Sequence, residues 1–237
     1  MYVFDSKIRY SEIDADGKLS MAALINYFQD CSTFQSEELG VGIQYLGERH
    51  LAWVLVSWQI EVERYPRLCE RVTVGTKPYE MKAFLGNRNF LMMDSQGRLL
   101  AKANSVWTLL DMETGRPYRV PAEISEKYPL EEPLEMKPLG RKIQMPSGGD
   151  SLTPVTVGRE HLDTNHHVNN QQYLAIAMRY LPEKFTIGSL RAEYKKQAHL
   201  GDQLVPYVVS DGGKVMVALQ DEAGAIYMAA EFEHMEE

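Results

Sequence analysis

Between positions 159 and 174 the chain reads REHLDTNHHVNNQQYL, and within it Asp163, Asn165, His166 and His167 stand close together. They fall between an extended run and a segment with helical spacing. On an extended stretch, residues two apart point the same way. Asp163, Asn165 and His167 are therefore expected to face one pocket, with His166 turned aside. An imidazole titrates near neutral pH and can take or give a proton. A carboxylate can orient it or attack a substrate directly, and an amide can position a water or a carbonyl. The helix that follows begins with unsatisfied N–H groups and a partial positive charge, which suits a developing oxyanion. Backbone N–H groups from Val168 to Asn170 are the expected donors.

Polar residues ahead of a helix also serve as plain caps and turn formers. An internal comparison separates the two readings. Asp14-Ala-Asp16-Gly-Lys18-Leu-Ser20 lies over Asp163-Thr-Asn165-His-His167-Val-Asn169. The first copy has Gly17 and Lys18 where the second has two histidines. One copy keeps a shape, and the other adds groups that can do chemistry.

The elements around these two segments repeat as well. Residues 2–10 alternate as a strand, and Ser20 is placed to cap a helix that Gly40 stops. Leu24, Phe28, Cys31 and Phe34 form its expected apolar stripe. Strands are expected over 51–65, 70–80, 83–94 and 98–111, as an antiparallel meander. In the second copy a helix starts near Asn169, with Gln172 as capping partner, Tyr173, Ile176, Ala177 and Tyr180 as its stripe, and Pro182 at its end. Strands follow over 185–198, 203–210, 213–221 and 224–234. Ser57-Trp-Gln-Ile-Glu61 lies over Ser189-Leu-Arg-Ala-Glu193, and Gly97 over Gly224. Prolines at 117, 121, 129, 133, 138 and 146 mark the intervening stretch. The expected layout is an α+β chain of two copies, 1–112 and 153–237, joined by a linker over 113–152.

Bulk properties narrow the function classes. The chain has 237 residues, 44% hydrophobic and 24% charged, with a formal net charge of −8. That is ordinary globular composition, and its negative sign argues against nucleic acid as a partner. Two cysteines, Cys31 and Cys69, suggest reduced, buried thiols and no disulfide framework. No cofactor or metal-binding motif stands out. The N-terminus lacks an apolar signal core and no apolar run is long enough to span a bilayer, so a cytoplasmic location is expected.

The Asp-x-Asn-x-His-Val-Asn-Asn core ahead of a Tyr-containing helix, the upstream half-repeat with Tyr10, Asp14 and Asp16, and Glu193-Tyr-Lys-Lys-Gln197 together resemble the acyl-ACP thioesterases, over nearly the whole chain. The resemblance implies two tandem hotdog domains, each an antiparallel sheet wrapped around a long helix. It implies a substrate pocket and degenerate site in the first and catalysis in the second. It also implies hydrolysis of fatty acyl thioesters on acyl carrier protein, with Asp163, Asn165 and His167 as the catalytic set. The chain departs from the plant enzymes at Gln197-Ala198, where they carry Glu-Cys. Gln197 can orient a water but cannot accept its proton, and Ala198 excludes a covalent cysteine there.

Further expectations follow from the resemblance. Phe28, Phe34, Trp53, Val54 and Trp58 are candidates to line an acyl tunnel. Acyl carrier protein is acidic, so docking is assigned to Arg191, Lys195 and Lys196, with Lys82 and Arg88 as alternates. Asp163 is either the orienter of His167 or the nucleophile. Chain length is left open, as is the choice between monomer and homodimer. An acyl-CoA thioesterase or hydratase of the same fold is the competing enzyme reading. A non-hydrolytic acyl-binding protein would need the pocket but not His167.

Overall fold

The computed structural model describes residues 1–163 and 166–235. The chain divides into two compact units. Unit 1 is residues 1–56 and 60–138, and unit 2 is residues 57–59 and 139–237.

Unit 1 starts with β1 (Tyr2–Lys7) and continues into helix α1 (Met21–Glu38). Ser20 caps α1, its Oγ accepting the Ala23 N–H at 3.2 Å. Gly40, at φ +71°, turns the chain out of the helix. In that conformation it brings the Val41 N–H back to the Ser36 carbonyl and its own N–H to Glu37. A short helix α2 (Ile43–Gly47) leads to β2 (Leu51–Val62), β3 (Arg71–Lys82), β4 (Leu85–Asp94) and β5 (Leu99–Asp111). The strand order is β1-β3-β4-β5-β2, antiparallel where its pairs are resolved.

The buried stripe of α1 is Leu24, Phe28, Cys31 and Gln35, with Phe28 fully buried against Phe90. Phe34, expected in that stripe, is exposed and packs edge-on against Phe4 instead. The 3.6-residue period carries the inner face from Cys31 to Gln35, a polar residue that an apolar count passes over. Each fully buried Leu, Ile or Phe on this helix contributes about 1.5–3 kcal/mol. Cys31 is buried as expected, and burial pushes its thiol up to about 12. Cys69 differs from expectation: it is exposed, in a tight turn at φ +66°.

The proline-rich stretch carries β6 (Arg116–Pro117), helix α3 (Ala122–Ser125) and β7 (Asp150–Ser151). Its first part packs into unit 1, where Ile124 and Tyr128 join Val41, Leu46, Leu51 and Leu109 in one apolar cluster.

Unit 2 continues with β8 (Val155–Thr156), helix α4 (Asn170–Met178), β9 (Ile187–Tyr194), β10 (Gln203–Asp211), β11 (Lys214–Gln220) and β12 (Ile226–His234). The strand order is β9-β12-β11-β10-β7, all antiparallel, with β8 also on β10. Its helix is half the length of α1. Tyr173, Leu174, Ile176 and Ala177 form its buried face. Matching hairpins show the duplication in detail. Asp94 Oδ1 accepts the N–H groups of Gln96 and Arg98, and Asp221 Oδ1 accepts those of Ala223 and Ala225. No helix among the described residues is long and apolar enough to cross a membrane.

Candidate active site

Among the described residues, the motif repeats three hydrogen bonds of a turn in unit 1. In unit 1 the Asp14 N–H donates to the Lys18 carbonyl at 2.8 Å, and the Gly17 N–H to the Asp14 carbonyl at 3.1 Å. In unit 2 the Asp163 N–H donates to the His167 carbonyl at 2.8 Å, and the His166 N–H to the Asp163 carbonyl at 3.1 Å. Asp14 Oδ1 accepts the Lys18 N–H at 3.0 Å, and Asp163 Oδ1 accepts the His167 N–H at 3.2 Å. The fourth turn residue is left-handed in both copies, Gly17 at φ +71° and His166 at φ +61°. Glycine takes that conformation freely, whereas a histidine there is strained. Hydrogen bonds among Asp163, His166 and His167 therefore close a turn, and strand alternation is not what sets these three residues. His166 is exposed.

Beyond the turn, the Val168 N–H donates to the Ala198 carbonyl at 3.0 Å and the Asn169 N–H to the His161 carbonyl at 2.9 Å. Two of the three expected oxyanion donors are thus already occupied. Asn169 caps α4, accepting the Gln171 N–H at 2.9 Å, so the cap is a short Asx turn without a reciprocal role for Gln172.

The bond between Val168 and Ala198 lays residues 197–199 alongside the turn. Ala198 is buried, and its N–H donates to the Tyr173 hydroxyl at 2.7 Å. Tyr194 in turn donates to the Asn170 carbonyl at 3.0 Å. This network fixes where the 197–199 segment meets α4. Gln197 is exposed on that segment, next to the turn.

The residue that sequence reasoning missed is His199. Its ring lies edge-on to the His167 ring, centroids 4.8 Å apart. Its backbone N–H donates to Asp202 Oδ2 at 2.9 Å. In unit 1 the same two places are taken by Lys18 and Arg67, whose backbones pair. The corresponding Arg67 N–H donates to Glu70 Oε2 at 3.0 Å. Aligning the two copies beyond Glu193 would have exposed the substitution. Burial, and then the neighbouring His199, hold His167 below the ordinary imidazole range, while Asp163 works in the opposite sense. A half-buried imidazole that stays neutral at neutral pH can accept a proton.

Of the sequence-predicted set, Asp163 and His167 are brought together, and Gln197 lies on the adjoining segment. Asn165 lies outside the described residues. The predicted docking cations are corrected in part. Arg88 is buried inside unit 1 and cannot meet a partner. Lys195 pairs with Glu193 at 3.2 Å, Lys196 with Asp221 at 3.1 Å and Arg191 with Glu231 at 3.3 Å.

Comparison with known families decides the kinship. The model of the acyl-ACP thioesterase N-terminal domain matches residues 2–128, and that of the acyl-ACP thioesterase C-terminal domain matches residues 147–234. The chain belongs to the acyl-ACP thioesterase family. A chloroplastic acyl-[acyl-carrier-protein] hydrolase of Cuphea viscosissima is 28% identical over 223 residues, covering 87% of this chain and 54% of its own length. This family member thus spans about half the length of the curated relatives it matches. Two solved structures share its fold. An acyl-ACP thioesterase from Bacteroides thetaiotaomicron has a TM-score of 0.87 at 22% identity, covering 98% of this chain and 97% of that one. The 12:0-ACP thioesterase from Umbellularia californica has a TM-score of 0.87 at 24% identity, covering 100% and 98%. The fold is the α+β hotdog of this family, present in two copies.

Proposed function

We propose that the protein hydrolyses the thioester of fatty acyl chains carried on acyl carrier protein, releasing the free acid. The observation that carries this reading is the shared turn. Unit 2 keeps three hydrogen bonds of the unit 1 turn and replaces Lys18 by His167, held neutral beside a carboxylate. Family membership supplies the substrate class.

In this reading His167 draws a proton from a water as its oxygen attacks the thioester carbonyl. The C–S bond then breaks, and the imidazolium returns the proton to the departing thiolate. A thiolate leaves readily, so strong acid assistance is unnecessary. Asp163 Oδ1 holds the His167 backbone, which supports a positioning role over a nucleophilic one. Asn165 and Gln197 are assigned to orienting the water or the carbonyl. The Asn170 N–H, at the first position of α4, is the remaining oxyanion donor of the three expected.

The test is steady-state hydrolysis of a panel of acyl-ACPs and matched acyl-CoAs by wild type and His167→Ala. Turnover on acyl-ACP that falls by ~10²-fold or more in the variant supports the assignment. Turnover confined to acyl-CoA would move the substrate to that carrier. Full activity in His167→Ala would remove His167 from the chemistry.

A further inference from the structure

Among the described residues, unit 1 buries a cation with no carboxylate beside it. Arg88 lies on β4 with 7% of its surface exposed, facing α1. Its Nη1 donates to Gln35 Oε1 at 2.5 Å and to Thr76 Oγ1 at 3.2 Å. The guanidinium carbon is 5.3 Å from the centre of the Tyr128 ring. Gln35 and Thr76 are themselves buried, and neither carries charge. Among the described residues no carboxylate lies within ion-pair distance of Arg88.

The ionisable groups that Arg88 does sense are Tyr128 and Cys31. Both are neutral at neutral pH, since burial pushes the Cys31 thiol up to about 12 and raises the Tyr128 hydroxyl as well. Burial lowers Arg88 only to about 10, so it keeps its charge. A lone ion in an apolar interior is strongly disfavoured unless an opposite charge joins it. A guanidinium also carries several N–H donors in a planar fork, and only Nη1 is used here by the described residues.

The surroundings define what would complete the site. One guanidinium balances one negative charge, which fits a monoanion better than a phosphate. Its fork matches the two oxygens of a carboxylate. The neighbouring side chains are largely apolar. Phe90 follows Arg88 on the same face of β4, with its ring 5.3 Å from that of Phe28. Tyr128 belongs to the cluster of Val41, Leu46, Leu51, Leu109 and Ile124. Such surroundings favour a hydrocarbon chain over a hydrated ion.

We propose that the interior of unit 1 binds a carboxylate borne on an aliphatic chain, with Arg88 as its counter-charge. Two sources share this chemistry: a free fatty acid, or the far end of an acyl chain that ends in a second carboxylate. The proposal does not depend on the hydrolytic reading, because binding alone reads it out.

The experiment is calorimetric titration of the full chain with dodecanoate and with dodecanol, both below their micelle-forming concentrations, for wild type and Arg88→Met. Wild type is expected to bind dodecanoate at least ~10-fold more tightly than the alcohol, the scale of a charge-assisted hydrogen bond. Arg88→Met, checked for folding by circular dichroism, should lose that preference. Dodecanoate should raise the melting temperature of wild type and not of the variant. A dodecanoyl pantetheine thioester with and without a terminal carboxylate separates the two sources. A gain from the terminal carboxylate assigns the acyl end, and a gain for the free acid alone assigns the fatty acid. Wild type that treats dodecanoate, dodecanol and both thioesters alike overturns the proposal, whether or not Arg88→Met folds. So does a carboxylate preference that survives in folded Arg88→Met. In those cases Arg88 serves only to tie α1 to β3.

Discussion

His167 and His199 meet edge to ring, 4.8 Å between centroids, at the places where unit 1 has Lys18 and Arg67. The neighbouring His199 is one of the influences that disfavour a proton on His167. Asp163 opposes that effect, while burial and His166 reinforce it. Burial is the largest cause, and it acts whatever stands at 199.

The acid limb of kcat/KM against pH should therefore lie below the ordinary imidazole range, since the rate is lost only when His167 gains its proton. In His199→Ala one of the lowering influences is gone, and the limb should move to higher pH by less than about one unit. The same depression has a stability sign. The unfolded chain binds that proton more readily than the fold does, so acidification from the ordinary imidazole range down through the lowered one costs stability. A pH–rate series on the two proteins checks the coupling, and superimposed acid limbs would show that the ring contact carries none.

Tyr173 gives a second prediction. Its hydroxyl accepts the Ala198 N–H at 2.7 Å, between two buried residues. Tyr173→Phe leaves that buried N–H unpaired, at a cost of about 1–3 kcal/mol. Urea denaturation should show the loss. Because Ala198 sets the segment that carries Gln197 and His199, kcat should fall while the fold persists. An unchanged urea midpoint would mean that the segment is held by the Val168 bond alone.

These two contacts also mark how far sequence carried the reading. Alternation and turn residues were enough to place the eight long strands of the two units, and Ser20, Gly40 and Asn169 to place the helix ends. The repeat was legible because its turns depend on local chemistry: Asp14 and Asp163, Asp94 and Asp221 use the same Oδ1 bonds. Contacts between distant segments were not legible. Nothing local sets His199 against His167, or Gln35 against Arg88, because each pair forms only when a helix or turn packs on the sheet. Strand alternation did not carry His166 for a related reason, since its left-handed backbone brings its N–H back to the Asp163 carbonyl.

A third prediction concerns the basic residues on unit 2. Lys195, Lys196, Arg191 and Lys214 are matched by Glu193, Asp221, Glu231 and Glu233. That balance leaves little positive field to steer an acidic carrier. Reversing Lys195 and Lys196 to Glu should change turnover of acyl-ACP and acyl-CoA by similar factors, each below about three-fold, since exposed pairs contribute little. A selective loss on acyl-ACP would restore these lysines as the docking surface, and the salt dependence of kcat/KM on acyl-ACP would then flatten in the variant.

The shared turn allows the last prediction to separate shape from chemistry at Asp163. Asp14 has the same backbone bonds and no imidazole beside it. Asp14→Ala should therefore lower the melting temperature by a few degrees, on the order of the two turn hydrogen bonds its carboxylate accepts, and leave turnover intact. Asp163→Ala should cost a similar amount of stability and also abolish turnover. Asp163→Asn is the decisive variant. An amide oxygen still accepts the His167 N–H, so the turn and the melting temperature should hold. The negative charge is gone, and with it the group that steadies an imidazolium. A loss of ~10²-fold or more in kcat with stability unchanged would assign Asp163 a part in the reaction. Wild-type turnover in Asp163→Asn would reduce it to what Asp14 already is, the residue that closes a turn.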